Sequence, residues 1–380
     1  MKKLIFILTI ITFLFAQYDW SDPVMLAPKV TFPDAAYGQT AITVDKTGII
    51  HAFWVKIYDR FNANYEQIMY RSSNDGGVSW SNTSNLTPDY FDKGHIIGSL
   101  NIVCDSENNL HLMFLRGTEG SKVMYMKYDG LSWTTPVNIY DYAINYLRVA
   151  IDGNDRIYAV WWNDPSYFAY LEHGTWSTPE SISETYLPSI KDIIIDKDNN
   201  VLACGLKDVG YYVPFYCKYD KINEEWTDFE QIEGFDERSI ACALTLSKND
   251  TLNINISVGP TWSENINYNL KRKTGDSTWT TPRYVNDNTD MLNKDYYRDN
   301  DDNLHLFERS TDDSSLVYTV HTNDIWTETV IQYEPDHNFW MQSVYFDDED
   351  QFYTTYIKIY YETNERAIFF QKKLIEVGIE

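Results

Sequence analysis

Residues Arg148–Pro179 read RVAIDGNDRIYAVWWNDPSYFAYLEHGTWSTP. A short β-rich run ends at Ile151, Asp152 opens a polar turn, and a second β-rich run follows from Ile157 to Trp162, which is the pattern of a hairpin. A third run comes next, then a Gly-containing turn and Trp176, followed by Ser-Thr-Pro. The arrangement recurs along the chain. The hairpin reappears as ITVDKTGIIHAFW, NIVCDSENNLHLMF, DIIIDKDNNVLACG, LTLSKNDTLNINI, DYYRDNDDNLHLFE and VYFDDEDQFYTTY, with turns opened by Asp45, Asp105, Asp152, Asp196, Ser247, Asp299 and Asp347. In step with it, Trp20, Trp80, Trp133, Trp176, Trp226, Trp279 and Trp326 are each followed at once by Ser or Thr.

The Trp positions lie 43 to 60 residues apart. Such a unit, with two hairpin strands, a third strand and a fourth opened by Trp, is the signature of a β-propeller blade. We therefore expect an all-β chain: a single seven-bladed β-propeller domain over 17–380, built of four-stranded antiparallel blades. The last block has no Trp segment, and the missing piece stands at the other end, in YDWSDP at 18–23. An N-terminal strand closing the last blade is the expectation, because closure pairs edges otherwise left open.

Lys2-Lys3, an apolar-biased stretch from Leu4 to Ala16, and a polar sequence from Gln17 form a secretory signal peptide over 1–16, cut near Ala16. A helix of that length is too short to span a bilayer. The chain is then secreted, extracellular or periplasmic, with no membrane span. Its 56 acidic against 31 basic residues give a net charge of −25, which repels phosphate backbones and anionic lipid surfaces and excludes nucleic-acid partners. A monomer is expected. Cys104, Cys204, Cys217 and Cys242 show no Cys-x-x-Cys spacing. Cys204 and Cys217 are the closest pair for a disulfide, and ordinary strand cysteines are the simpler reading.

Between the third and fourth strands of the first block stands Ser73-Asn-Asp75-Gly-Gly77-Val-Ser-Trp80. It matches the Asp-box, Ser-x-Asp-x-Gly-x-x-Trp, and the chain here resembles the Asp-box (BNR-repeat) propellers of the sialidase superfamily. The resemblance implies that Ser73, Asp75, Gly77 and Trp80 form a structural turn remote from any substrate pocket. The resemblance also implies an arginine clamp on a carboxylate, for which Arg60, Arg116, Arg148, Arg238 and Arg309 are available. The family's Arg-Ile-Pro segment is absent, and sialidases usually have six blades, so no catalytic residue is transferred.

The turn column is expected to be structural, with no cofactor. Ca²⁺ is the alternative at Asp299 and Asp301, where the turn is richest in oxygen. His51, His111 and His305, six residues after the column Asp, share their place with Tyr158, Leu202, Asn253 and Tyr353, so they are read as bonded within their blades.

A ligand site is expected on the face carrying the loops between second and third strands and between successive blades. A polar ring four residues before the turn column holds Asn101, Arg148, Asp192, Asp295 and Ser343. The nearby loops supply Arg116, Tyr146, Arg238, Trp262, Glu308, Arg309 and Trp340. Aromatic rings beside charged groups suit sugars. Glycan recognition is thus the leading expectation. The alternatives are a glycan-cleaving enzyme, either a sialidase-type hydrolase or a polysaccharide lyase, and a scaffold for a cell-surface or extracellular protein. For a hydrolase, Asp192 with Asp295, or Glu308 with Asp295, are the carboxylate pairs, at roughly 5 Å or 6.5–9.5 Å according to mechanism.

Overall fold

A computed structural model describes residues 20–374 apart from 59–64, 89–96, 118–120, 144, 184–188, 236, 248, 261–264, 274–275, 288, 300, 302, 311–313, 323–324 and 348–349. The side chains of 97, 145, 286–287, 289–296, 308–310 and 341–342 are also outside the description. The segment read as a signal peptide lies beyond the described residues.

Seven antiparallel sheets follow one another along the chain. Their innermost strands are Ala35–Val44, Ile97–Cys104, Asn145–Ile151, Ser189–Ile195, Ser239–Leu246, Thr289–Arg298 and His337–Phe346. Each innermost strand packs against the next, and the seventh packs against the first, so the sheets form a closed seven-bladed β-propeller. No helix occurs among the described residues, and none there is long and apolar enough to cross a membrane. In blades 3 and 4 the outer strand comes in two short pieces: Thr175–Trp176 with Glu180–Ser181, and Glu225–Trp226 with Glu230–Gln231. In blade 7 the outer position is held by Val24–Thr31, which pairs with Glu365–Lys372 from Val24↔Phe370 to Thr31↔Glu365, while Trp20 bridges to Lys373.

The composition of each strand follows from its place in the sheet. The second strand has neighbouring blades on both faces, so it is apolar almost without alternation: Ile50–Tyr58, Leu110–Arg116 and Val201–Asp208 are buried nearly throughout. Outer strands such as Val137–Ala143 and Ile325–Tyr333 are largely exposed. The core therefore lies between blades. Phe53 and Ile68 of blade 1 meet Leu112 and Phe114 of blade 2, and Tyr158 and Phe168 of blade 3 meet Val201 and Phe215 of blade 4.

The Trp column staples these seams. Each ring reaches the preceding blade, and six of the seven meet an aromatic there edge-to-face. Trp133 contacts Phe53 at 5.7 Å, Trp176 contacts Tyr125 at 5.4 Å, Trp226 contacts Phe168 at 5.3 Å and Trp279 contacts Tyr216 at 5.8 Å. Trp80 meets Phe370 of blade 7 at 5.0 Å, and Trp20 meets Phe307 of blade 6 at 5.6 Å. Trp326 joins Ala243 and Leu304 at the seam of blades 5 and 6.

The stretch at 73–80 is a hydrogen-bonded turn on the outer side of blade 1. Asp75 accepts bonds from the backbone and side chain of Ser79 and from Ser73 Oγ, which hold its carboxyl down at about 2. Trp80 Nε1 donates to the Gly77 carbonyl at 3.1 Å. Gly77 has φ +90°, and a Cβ there would sit 2.3 Å from the Phe370 ring, so the residue is required twice over.

The turn-opening column locks the first hairpin of each blade. One carboxylate oxygen accepts backbone N–H groups two and four residues ahead: Asp105 from Glu107 and Asn109, Asp152 from Asn154 and Arg156, Asp196 from Asp198 and Asn200. Ser247 accepts from Thr251 in the same way. Asp299 follows the pattern with Asp301 and Asn303, and its second oxygen takes bonds from Asn303 Nδ2 and His305 Nε2. Asp301 is exposed on the same turn.

His51, His111 and His305 each link the column Asp to a tyrosine on the third strand of their own blade. Nε2 meets Asp45, Asp105 or Asp299, and Nδ1 meets the hydroxyl of Tyr70, Tyr125 or Tyr318 at 2.6–2.9 Å. Tyr158 and Tyr353 reach Asp152 and Asp347 directly. Burial lowers the pKa of all three histidines, outweighing the neighbouring carboxylates.

Two expectations follow. Trp226→Ala leaves a void at an aromatic seam and should cost about 3–5 kcal/mol in a urea titration. Deleting Trp20–Thr31 should abolish cooperative unfolding, read by tryptophan fluorescence. The histidines give a pH dependence. Their folded pKa lies below the ordinary 6.5, so the unfolded chain binds more protons between the two values. Their contribution is fully present above pH 6.5 and is lost as pH falls through the folded pKa. His111→Tyr, the choice already made in blades 3 and 7, should make the urea midpoint fall less as pH drops below 6.5.

Candidate functional site

The innermost strands share a local irregularity. Every one breaks register with its neighbour at the same level: between Tyr37 and Thr40, Gly98 and Asn101, Asn145 and Leu147, Ile190 and Asp192, Ser239 and Ala241, Asp290 and Asp295, and Trp340 and Ser343. A β-bulge places an extra residue outside the ladder and re-aims its side chain. In blades 3 and 4 the extra residues are Tyr146, at φ +49°, and Lys191.

These two meet. Lys191 Nζ stands 3.8 Å from the centre of the Tyr146 ring and 5.8 Å from that of Trp162, the last residue of its strand. Among the described residues the ammonium has ring faces, not a carboxylate, for partners. Burial pushes its pKa down to about 8, and the charge of Arg148 adds to the shift. Burial raises the Tyr146 hydroxyl, with Arg148 acting the other way. Arg148 Nη1 also donates to the Leu147 carbonyl at 3.2 Å. Tyr146, Arg148 and Lys191, with Trp162, thus form one half-buried cationic and aromatic cluster. Perturbed titrating groups gathered in this way are the usual mark of a working site.

Asp192 lies beside it and spans a seam. Its Oδ1 accepts the Ile193 N–H and its Oδ2 accepts the Leu244 N–H of blade 5, each at 2.9 Å. Burial raises its pKa against the opposing pull of Arg148 and these two bonds. Asn101, at the same ring position, does the equivalent for blades 2 and 3 by donating to the Leu147 carbonyl at 3.1 Å. The ring position therefore supplies bonds between blades as well as charge.

The other expected residues are distributed. Arg116 ends its strand, half-buried, opposite Ile97 and Lys122. Arg238 is exposed over the Tyr212 ring at 4.8 Å, on blades 5 and 4. Trp340 is half-buried at blade 7 with Arg366 5.8 Å from its ring. Asp295 pairs in register with Phe307, Glu308 with Val317 and Arg309 with Leu316, but their side chains are outside the description, as is all of Trp262 and Arg60. The sequence reading missed Lys191 and Trp162, whose only signal was proximity to Asp192 and to the loop after the second strand.

The register of blade 4 sets aside the alternative of a Cys204–Cys217 bridge. Ala203 pairs with Cys217 and Cys204 with Tyr216, so Cys204 and Cys217 point to opposite faces of blade 4 and cannot bridge. The structure shows all four cysteines in the reduced, thiol form. Among the described residues no group of three or more His, Cys, Asp and Glu is placed to hold a metal ion.

No protein-family model matches the chain, and no curated protein does. Among solved structures it is similar to a polysaccharide lyase, an ulvan lyase bound to -[GlcA(1-4)Rha3S]-, with TM-score 0.63 and 12% identity over 90% of this chain and 95% of that one. It is similar to a protein of unknown function from Dyadobacter fermentans, with TM-score 0.57 and 10% identity over 93% and 99%. The NanB sialidase from Streptococcus pneumoniae gives TM-score 0.50 and 10% identity over 92% and 70%. Likeness at this identity is a likeness of propeller fold.

Proposed function

We propose that the protein is an exported propeller that recognises an anionic glycan where Tyr146, Arg148, Lys191 and Trp162 meet. The observation that carries this reading is the pair of cations in a chain of net charge −25, with Lys191 held 3.8 Å over a tyrosine ring and depressed by burial and by Arg148. A carboxylate or sulfate entering this cluster relieves the repulsion between the cations, and guanidinium pairing adds direction. The rings offer stacking surfaces for the C–H face of a sugar. The uronate- and sulfate-bearing glycan named with the ulvan lyase supports the ligand class by analogy of fold.

One observation favours a second reading, cleavage by a lyase. An amine with a pKa of about 8 is partly neutral at mildly alkaline pH and can take a proton beside a uronate carboxylate, while Arg148 neutralises that carboxylate. The two readings share the site and differ in products.

The deciding experiment incubates the mature chain with sialylated, uronate-bearing, sulfated and neutral glycans, then analyses retained and new masses. Retention of acidic glycans without products supports recognition, and new unsaturated products establish the lyase. Retention of neutral glycans as strongly as acidic ones overturns the site. Lys191→Met and Arg148→Gln should each weaken retention by about tenfold or more, the scale of one charge-assisted hydrogen bond. Affinity should be greatest below pH 8 and fall as pH rises through about 8, where Lys191 loses its proton. Lys191→Arg should retain binding above that pH.

A further inference from the structure

The seam between blades 4 and 5 holds two cysteines that the sequence keeps far apart. Cys204 lies on the second strand of blade 4 and Cys242 on the innermost strand of blade 5. The strands Val201–Asp208 and Ser239–Leu246 pack directly against each other. Both thiols are buried in the same apolar cluster, with Leu206, Leu244 and Ile254 around them. Cys217 faces the other side of blade 4 and belongs to the seam with blade 3, while Cys104 lies on blade 2. The backbone is already tied at this level, since Asp192, the register partner of Cys204, accepts the N–H of Leu244, two residues beyond Cys242.

We propose that Cys204 and Cys242 form a disulfide that joins blade 4 to blade 5 beside Lys191. The oxidant is a low-molecular-weight disulfide such as oxidised glutathione. One cysteine thiolate attacks it, forming a mixed disulfide and releasing one thiol. The second thiolate attacks the protein sulfur of that bond, and the other half of the reagent leaves as a thiol. Two electrons pass from the cysteines to the reagent, and the two protons they lose end on the two released thiols. The bond forms as the chain folds, because burial in the finished seam raises Cys204 well above an ordinary thiol and leaves little thiolate there. Once formed it is shielded in the same way, so reducing agents reach it only after the seam opens. The proposal does not depend on the glycan reading.

The test refolds the full chain with glutathione in oxidised and reduced mixture, and separately in excess reductant. Each sample is alkylated under denaturing, non-reducing conditions, digested and mapped by mass spectrometry. The expected result for the oxidised sample is a peptide pair linking Cys204 to Cys242, lighter by two hydrogens than the two thiols, with Cys104 and Cys217 alkylated. Four alkylated cysteines in the oxidised sample, or a link to Cys104 or Cys217, overturns the proposal. The oxidised protein should also melt several degrees above the reduced one. That difference should vanish in Cys204→Ser and in Cys242→Ser and persist in Cys104→Ser. If a serine variant at the seam does not fold, the peptide map of the unmodified sequence still decides.

Discussion

The contact on which the molecule depends is the edge of one tryptophan against an aromatic ring of the preceding blade. A four-stranded sheet with its second strand apolar on both faces has no core of its own, and its stability comes from neighbours. Trp133 on Phe53, Trp226 on Phe168 and Trp20 on Phe307 are the same joint at different seams. A linear stack of such blades would leave two apolar ends exposed. Here the innermost strand of blade 7 packs on that of blade 1, so every apolar face has a partner.

Polar residues in this frame divide by what their hydrogen bonds reach. The column aspartates spend an oxygen on backbone donors inside one turn, which gives their recurrence a structural reason. The histidines and tyrosines behind them carry that bond into the third strand. At the opposite level of the innermost strands, Asn101 and Asp192 bond across seams, and their side chains replace the regular ladder where a bulge has interrupted it.

That bulge is also what makes the cationic cluster. Without the register break, Tyr146 and Lys191 would take their turn in the alternation, pointing into a seam. Displaced from the ladder, they lie against each other across blades 3 and 4, and the partial burial that holds Lys191 over a ring also shifts its titration. The seam between blades 4 and 5 gathers Cys204 and Cys242 into one apolar cluster.

The repeat could be read from the sequence alone, because an alternation of period two, an acidic turn and a Trp at fixed phase are local properties, each dictated by a strand or a turn by itself. Seven such units left a closed ring of four-stranded blades as the arrangement that buries every seam, and the structural turn at Ser73–Trp80 was legible for the same reason. Where a side chain ended up across a seam was not legible. A one-residue bulge inverts the alternation beyond it, so Lys191 gave no sign that it would meet Tyr146, and Arg116 and Arg238, alike as loop arginines, reach different surroundings. Cys204 and Cys217, near in sequence, fall on opposite faces because the pleat alternates with period two. Cys204 and Cys242 meet because adjacent blades bring different strands face to face, a contact set by tertiary packing that no local pattern encodes.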